Sequence, residues 1–373
     1  MSYFLQENNC HRNNGRQVNN VSLICAGSIK KYMCIFIICI VTLLSLSSCG
    51  LVASDNDFSE STSYLMNTVI QQKWYGDKAK ETCEEIEAKL KDIENRVSLY
   101  IEDSEISQIN DAAGKEYIRV SDDIFDMIFE SKSISEESNG LFDITIAPLV
   151  LLWDITGDNP HVPEQSEIDK ALKKIDYTKI LLDEENKSVM LQDEGMQIDL
   201  GGIAKGMAAG EMRSIAEENG VTGYLSIGGN MLVIGKKPSG KDINIGLRDP
   251  LGSESDYFAK ITIEGYTMAT SSACERYFEE NGITYHHILN PFTGYPGETD
   301  LLSVTVVSKN GLLADALSTA IFLEGSSCLE RYMSRDDCMV LAVTKDKKVY
   351  ASEDLWEQIT PTNTKDYQFC SGK

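Results

Sequence analysis

Asp315 and Thr319 stand four residues apart in the apolar run Ala314-Asp315-Ala316-Leu317-Ser318-Thr319-Ala320, so a helix brings carboxylate and hydroxyl to one face. Two hard oxygens suit Mg2+, which takes few protein ligands and fills its shell with water or phosphate. The plainer alternative is a hydroxyl bonded to the carbonyl one turn back and an aspartate engaged locally. A second group, Asp199-Leu200-Gly201-Gly202-Ile203-Ala204-Lys205-Gly206, joins a strand end to a helix start through paired glycines. Backbone N–H groups can approach a ligand closely there, and the helix N-terminus and Lys205 add positive potential for phosphate oxygens. A tight turn with a surface lysine has the same pattern. A third group, Tyr285-His286-His287-Ile288-Leu289-Asn290-Pro291-Phe292-Thr293-Gly294-Tyr295-Pro296, holds two of the four histidines ahead of a stiff turn. Histidine is suited to accept a hydroxyl proton near neutral pH, and a rigid turn can hold it against a substrate. Zinc is disfavoured, because adjacent histidines point apart in a strand and no third ligand stands at metal spacing. A structural histidine bonded to backbone is the alternative. Tyr100 beside Ser104-Glu105 is a candidate for stacking on a planar ring or for plain core packing. The hydrophobic segment from Leu141-Phe142-Asp143-Ile144-Thr145 to Trp153 reads as a ligand-site wall or as core.

Elements must hold these groups. Cys83, Ile86, Leu90, Ile93 and Val97 recur at steps of three and four, which predicts a helix over 77–98. A second helix is expected from Ser121, which can cap it ahead of Asp122 and Asp123, with Ile124, Ile128 and Ile134 inward. Short strands are expected at 188–191, 224–227, 232–235, 243–247, 261–264, 302–308, 339–344 and 348–351, separated by turns rich in Gly, Asn, Asp and Pro. Two helices interrupt them, one opening near Gly202 and closing at Asn219-Gly220, the other over 312–324 and stopped by Gly325. The irregular order of strands and helices favours an α+β fold, a mixed or antiparallel β core with flanking helices, over a doubly wound sheet.

The formal charge of −24 opposes nucleic acid and anionic surfaces, so any phosphate-bearing ligand needs local groups or a metal. Lys30 and Lys31 precede an apolar run over 32–46 that ends in Leu46-Ser47-Ser48-Cys49-Gly50. Basic, apolar and small residues in that order read as a secretory signal with Cys49 as an acylated first mature residue, and an uncleaved membrane anchor is the alternative. The run is short for a spanning helix. The expected location is the extracytoplasmic face of the cell membrane, held by the lipid. Among the remaining cysteines, Cys328 and Cys338 are a weak candidate pair.

In this order the segments resemble the ApbE family of FAD:protein FMN transferases. The resemblance runs from about Tyr64 to Glu357. It rests on Glu94 with Val97-Ser98-Leu99-Tyr100, Ser104-Glu105-Ile106, Phe142-Asp143-Ile144-Thr145, the Asp199 to Gly206 motif, Ser226-Ile227-Gly228-Gly229-Asn230, Ala269-Thr270-Ser271, His287-Ile288, Asn290-Pro291, Thr293-Gly294-Tyr295-Pro296 and the Asp315 helix. It implies that Asp315 and Thr319 bind Mg2+ with the help of a backbone carbonyl near Ala204. It also implies that Asp199, Gly201, Gly202 and Lys205 cradle the FAD diphosphate, and that Tyr100, Ser226, Gly228, Asn230, Thr270 and Ser271 contact flavin and adenine. A Ser or Thr hydroxyl of an acceptor protein, an exported or membrane redox protein, would attack the FMN phosphorus and release AMP, with His287 taking the proton. A Mg2+-dependent FAD pyrophosphatase and a flavin-binding lipoprotein without catalysis are the competing readings. Four positions depart from the family pattern: Asn67 and Ser272 stand where glycine is usual, Asn290 where aspartate is, and Phe292 where a basic residue is. The expected organisation is a signal segment over 1–49, a tether over 50–63, the transferase domain over 64–357 and a tail over 358–373.

Overall fold

Apolar residues occupy both faces of the central strands, and this decides the layering. Val340 and Ala342 belong to one core while Leu341 and Val343 belong to another. Leu232 and Ile234 likewise part company with Val233. The sheet is therefore buried on both sides. The computed structural model describes residues 55–253 and 255–371. Cys49 and the predicted signal lie outside the described residues.

The elements in chain order begin with β1 (Phe58–Leu65), β2 (Thr68–Tyr75), α1 (Ala79–Val97), α2 (Glu105–Asp111), β3 (Ile118–Arg119), α3 (Asp122–Glu137), α4 (Ala147–Trp153), α5 (Gln165–Leu172), β4 (Ile180–Asp183) and β5 (Ser188–Leu191). After them come α6 (Ala204–Glu218), β6 (Thr222–Ile227), β7 (Asn230–Ile234), β8 (Asn244–Arg248), β9 (Tyr257–Thr262), β10 (Thr267–Ser272), β11 (Tyr277–Glu280) and β12 (Ile283–His286). The chain closes with β13 (Leu301–Ser308), α7 (Gly311–Glu324), β14 (Met339–Thr344), β15 (Lys348–Ala351), β16 (Ile359–Pro361) and β17 (Gln368–Ser371).

Nine strands form the main sheet in the order β1-β2-β6-β7-β10-β13-β14-β15-β17, antiparallel except for the parallel pair β15 and β17. One face carries α1, α6 and α7, whose apolar residues share a core with β2, β6, β10 and β13. The other face is covered by the small sheet β16-β9-β8. A third core holds Leu149, Trp153, Ile168 and Leu289 beneath the β11–β12 hairpin. There Phe278 stacks on Tyr285 and the Trp153 indole donates to the Gly294 carbonyl at 2.8 Å. The expected α+β class, with a mostly antiparallel core and flanking helices, holds.

Several local expectations change. The predicted helix over 77–98 is α1, with the expected residues buried. Ser121 occupies the N-cap position of α3, yet its hydroxyl donates to Glu105 Oε1 at 2.8 Å instead of capping. Arg96 meets the same cluster through Asp123, and together these bonds tie α1, α2 and α3. Polar residues of the expected tether form most of β1, an edge strand whose alternate residues face solvent. The stretch set aside as a tail supplies β16 and β17. Cys328 and Cys338 are free and buried, so that candidate pair is not made. Burial pushes both thiols up to about 12, which leaves them inert small hydrophobes.

Helices α6 and α7 meet backbone to backbone at Gly206 and Gly311. A methyl group on either glycine would collide with the carbonyl oxygen of the other. Gly206→Ala should therefore destabilise the protein by about 1–3 kcal/mol in urea unfolding, because the helices must separate. Gly210→Ala, on the same helix with open space at its Cβ, should instead stabilise by about 0.4–1 kcal/mol.

Candidate functional site

A cavity of about 510 Å3 opens between the N-terminus of α6, the face of α7, the ends of β10 and the loops around Tyr100 and His287. The Gly206–Gly311 contact aligns its floor. The Gly206 amide donates to Asp315 Oδ2 at 2.9 Å, so the N-terminal turn of α6 holds a buried carboxylate supplied by α7. Lys205 Nζ lies 3.8 Å from the same oxygen and donates to the Gly201 carbonyl at 2.7 Å. Asp315 Oδ1 has no protein partner among the described residues. Thr319 follows one turn later, and its hydroxyl lies 3.1 Å from that of Ser271, which also meets Ser318 at 2.8 Å.

The other walls come from turns. Asp199 Oδ1 accepts from the Gly201 amide at 2.9 Å and so closes the glycine turn on itself. Burial raises the Asp199 carboxyl above its ordinary value, and Lys205 opposes the shift. Gly228 and Gly229 have φ of +48° and +94° and form the tight turn between β6 and β7. A Cβ at Gly228 would strike the Thr68 side chain, so this turn packs directly against that β2 side chain. Met66 and Asn67, also at positive φ, form the β1–β2 turn that leans over the cavity. Asparagine tolerates that conformation well, which accounts for Asn67 in place of glycine. Glu94 Oε1 accepts from the Met66 amide at 2.7 Å and holds the turn to α1. Asn290 Oδ1 accepts from the amides of Phe292 and Thr293, the same turn an aspartate would cap.

His287 lines the cavity, whereas His286 points the other way, edge-on to Phe322. Alternation along the strand end separates the neighbours. His287 Nδ1 lies 3.2 Å from the Arg276 carbonyl oxygen. A carbonyl only accepts, so Nδ1 carries the hydrogen and Nε2 keeps its lone pair. Burial, and then the charges of Arg276 and Lys205, lower this histidine to about 3, so it rests neutral. Asp143 is pushed up to about 6 by burial, against hydrogen bonds from the Thr145 amide and hydroxyl and the Tyr177 amide. It braces the wall segment.

The structure brings together Tyr100, Asp199, Gly201, Gly202, Ala204, Lys205, Gly228, Thr270, Ser271, His287, Asp315 and Thr319 on one cavity. Tyr100 is 62% exposed at its rim, free to cover a planar ligand. Ser226 and Asn230 are paired within the β6–β7 hairpin away from this cavity's lining, which Gly228 of the intervening turn reaches. Asn230 is 1% exposed, with its Nδ2 unpaired inside the protein. The reading of residue types passed over Glu275 and Arg276, which line the cavity between β10 and β11. The signal was two adjacent charges directly after an apolar strand. Glu275 sits at the rim, where the surrounding protein raises its carboxyl and Lys205, Arg276 and Arg248 oppose the shift.

The Asp315 carboxylate and the Thr319 hydroxyl bring oxygen donors to the cavity wall. Among the described residues no group of three His, Cys, Asp or Glu converges as a closed metal cage. A carboxylate and a hydroxyl on one wall fit a cation that binds few protein oxygens and shares its shell with a phosphate ligand.

The sequence profile of the ApbE family matches residues 66–342. An FAD:protein FMN transferase of Klebsiella pneumoniae is 32% identical over 317 residues, covering 83% of this chain and 97% of its own. The ApbE protein of Thermotoga maritima superposes with a TM-score of 0.74 at 33% identity, covering 81% of this chain and 99% of that one. The flavin transferase ApbE of Vibrio cholerae shares the fold with a TM-score of 0.72 at 24% identity, over 81% of this chain and 99% of its own. By these likenesses the chain belongs to the ApbE family.

Proposed function

We propose that the chain is a Mg2+-dependent FAD:protein FMN transferase, held on the outer face of the membrane by a lipid on Cys49, which joins FMN to a Ser or Thr hydroxyl of an exported redox protein. The observation that carries this reading is the convergence of Asp315, Thr319, Lys205 and the α6 N-terminus on one cavity wall with the bare Nε2 of His287 on the same cavity. Asp315, Thr319 and the Ala204 carbonyl would hold Mg2+, which would supply charge neutralisation for the diphosphate.

The chain's own residues do the rest. Lys205 and the Gly202 amide hold the diphosphate oxygens of FAD, and the exposed Tyr100 ring covers the flavin. Thr270 is fixed by its bond to Thr305 at 2.9 Å and keeps that side of the cavity rigid. The acceptor oxygen bonds to the FMN phosphorus as the bond from that phosphorus to the bridging oxygen breaks. AMP leaves with the electron pair, and His287 Nε2 takes the hydroxyl proton. An arriving anionic diphosphate offsets Lys205 and Arg276, so the proton affinity of His287 rises when substrate is present.

Incubation with FAD, Mg2+ and an FMN-binding-domain protein should raise the acceptor's intact mass by one FMN less water. Release of AMP with no mass gain would contradict the transferase reading and favour the hydrolase. His287→Gln should lower kcat by about 10²–10⁴-fold with the fold intact. Asp315→Asn should lower turnover by about 10²–10³-fold and abolish the response to Mg2+, whereas a flavin carrier without catalysis would retain function. Cys49→Ala should move the chain from the membrane fraction to the soluble fraction; retention in the membrane would contradict the lipid anchor.

A further inference from the structure

Arg276 faces the cavity from the segment between β10 and β11, and its bonds run in two directions. Its main-chain carbonyl accepts from the His287 amide at 3.0 Å and from His287 Nδ1 at 3.2 Å. Its guanidinium Nη2 donates to the Asn67 carbonyl at 2.7 Å. Asn67 belongs to the β1–β2 turn, which Glu94 holds from the opposite side. The histidine, the arginine and a turn at positive φ thus form one continuous set of bonds across the cavity mouth.

We infer that Arg276 is a positioning residue for proton transfer from the acceptor. Its carbonyl fixes the tautomer of His287 that presents a bare Nε2, and its guanidinium locks that histidine to the Met66-Asn67 turn. The inference rests on the reading of His287 as the acceptor's base. Any residue would supply the carbonyl. The guanidinium adds the lock on the turn and a positive charge beside the imidazole.

Charged groups facing the cavity from other elements are Lys205 and Asp315 on the crossing helices, Asp199 and Asp143 on the wall, and Glu94 on α1. Glu275 and His286 lie on the same pair of segments as Arg276 and His287. Among the charges acting on His287, that of Arg276 comes first and Lys205 second. A cation beside an imidazole opposes the imidazolium, so its removal raises the proton affinity of the ring. His287 then protonates at higher pH, and the acid limb of the reaction moves upward with it.

Arg276→Gln keeps the carbonyl and removes the charge, while Arg276→Lys keeps the charge and removes the planar fork. Histidine ring signals of each protein without substrate are followed by NMR across pH, with His287→Gln identifying the signal of interest. In parallel, the pH dependence of kcat/KM for FMN transfer is measured. The His287 titration and the acid limb should both move to higher pH in Arg276→Gln and keep their parental positions in Arg276→Lys. Circular dichroism checks both folds, and Arg276→Met serves as a second neutral variant. A His287 titration unmoved in both neutral variants, or a raised KM for FAD with no movement of the limb, would overturn the inference and leave Arg276 as a substrate contact. If His287→Gln keeps the parental rate and acid limb, the base reading fails. The titration of the protein without substrate still reports whether Arg276 acts on His287.

Discussion

Two glycines in contact set the chemistry of this protein. Gly206 and Gly311 let α6 and α7 cross without a side chain between them, and only at that separation does the Gly206 amide reach Asp315. A buried carboxylate is costly unless hydrogen-bonded. Here an unsatisfied amide of a helix's first turn takes one of its oxygens, and the positive end of the helix favours the charge. The same first turn carries Lys205 and ends the glycine motif, so one crossing places carboxylate and ammonium within reach of one ligand.

The remaining walls follow the same economy of side chains. Gly228 and Gly229 on one turn and Met66 and Asn67 on another take positive φ, a conformation that makes short hairpins and brings backbone close to the cavity. The chain as a whole carries −24, yet Lys205, Arg276 and Arg248 cluster around Glu275 beside the cavity. Local cations answer the difficulty that a strongly acidic protein has in holding an anionic diphosphate. Burial, and after it the charges of Arg276 and Lys205, keeps His287 neutral at rest, which is the state a base requires.

Much of this was legible in residue order. The stripe of α1, the glycine turn ahead of α6 and the Asp315 to Thr319 spacing depend on local periodicity, and all three survive in the fold. What escaped reading depends on distant partners. The polar residues of β1 look like a linker because an edge strand needs no apolar alternation when one side meets water. Ser121 was expected to cap its helix, but Glu105, sixteen residues earlier, claims its hydroxyl. Ser226 and Asn230 share a motif with Gly228, yet a tight turn projects only its tip. Arg276 carried no motif of its own, since its role lies in a carbonyl and in a bond to a turn more than two hundred residues away.

The central claim is that this cavity directs a protein hydroxyl, and not water, to the FMN phosphorus. The most direct measurement is the reaction of FAD with Mg2+ and an acceptor protein in heavy-oxygen water, with mass analysis of the flavin and of AMP. The account predicts FMN bound to the acceptor and AMP released with no heavy oxygen in either phosphate. Free FMN or AMP carrying the heavy atom, with the acceptor unmodified, would contradict it.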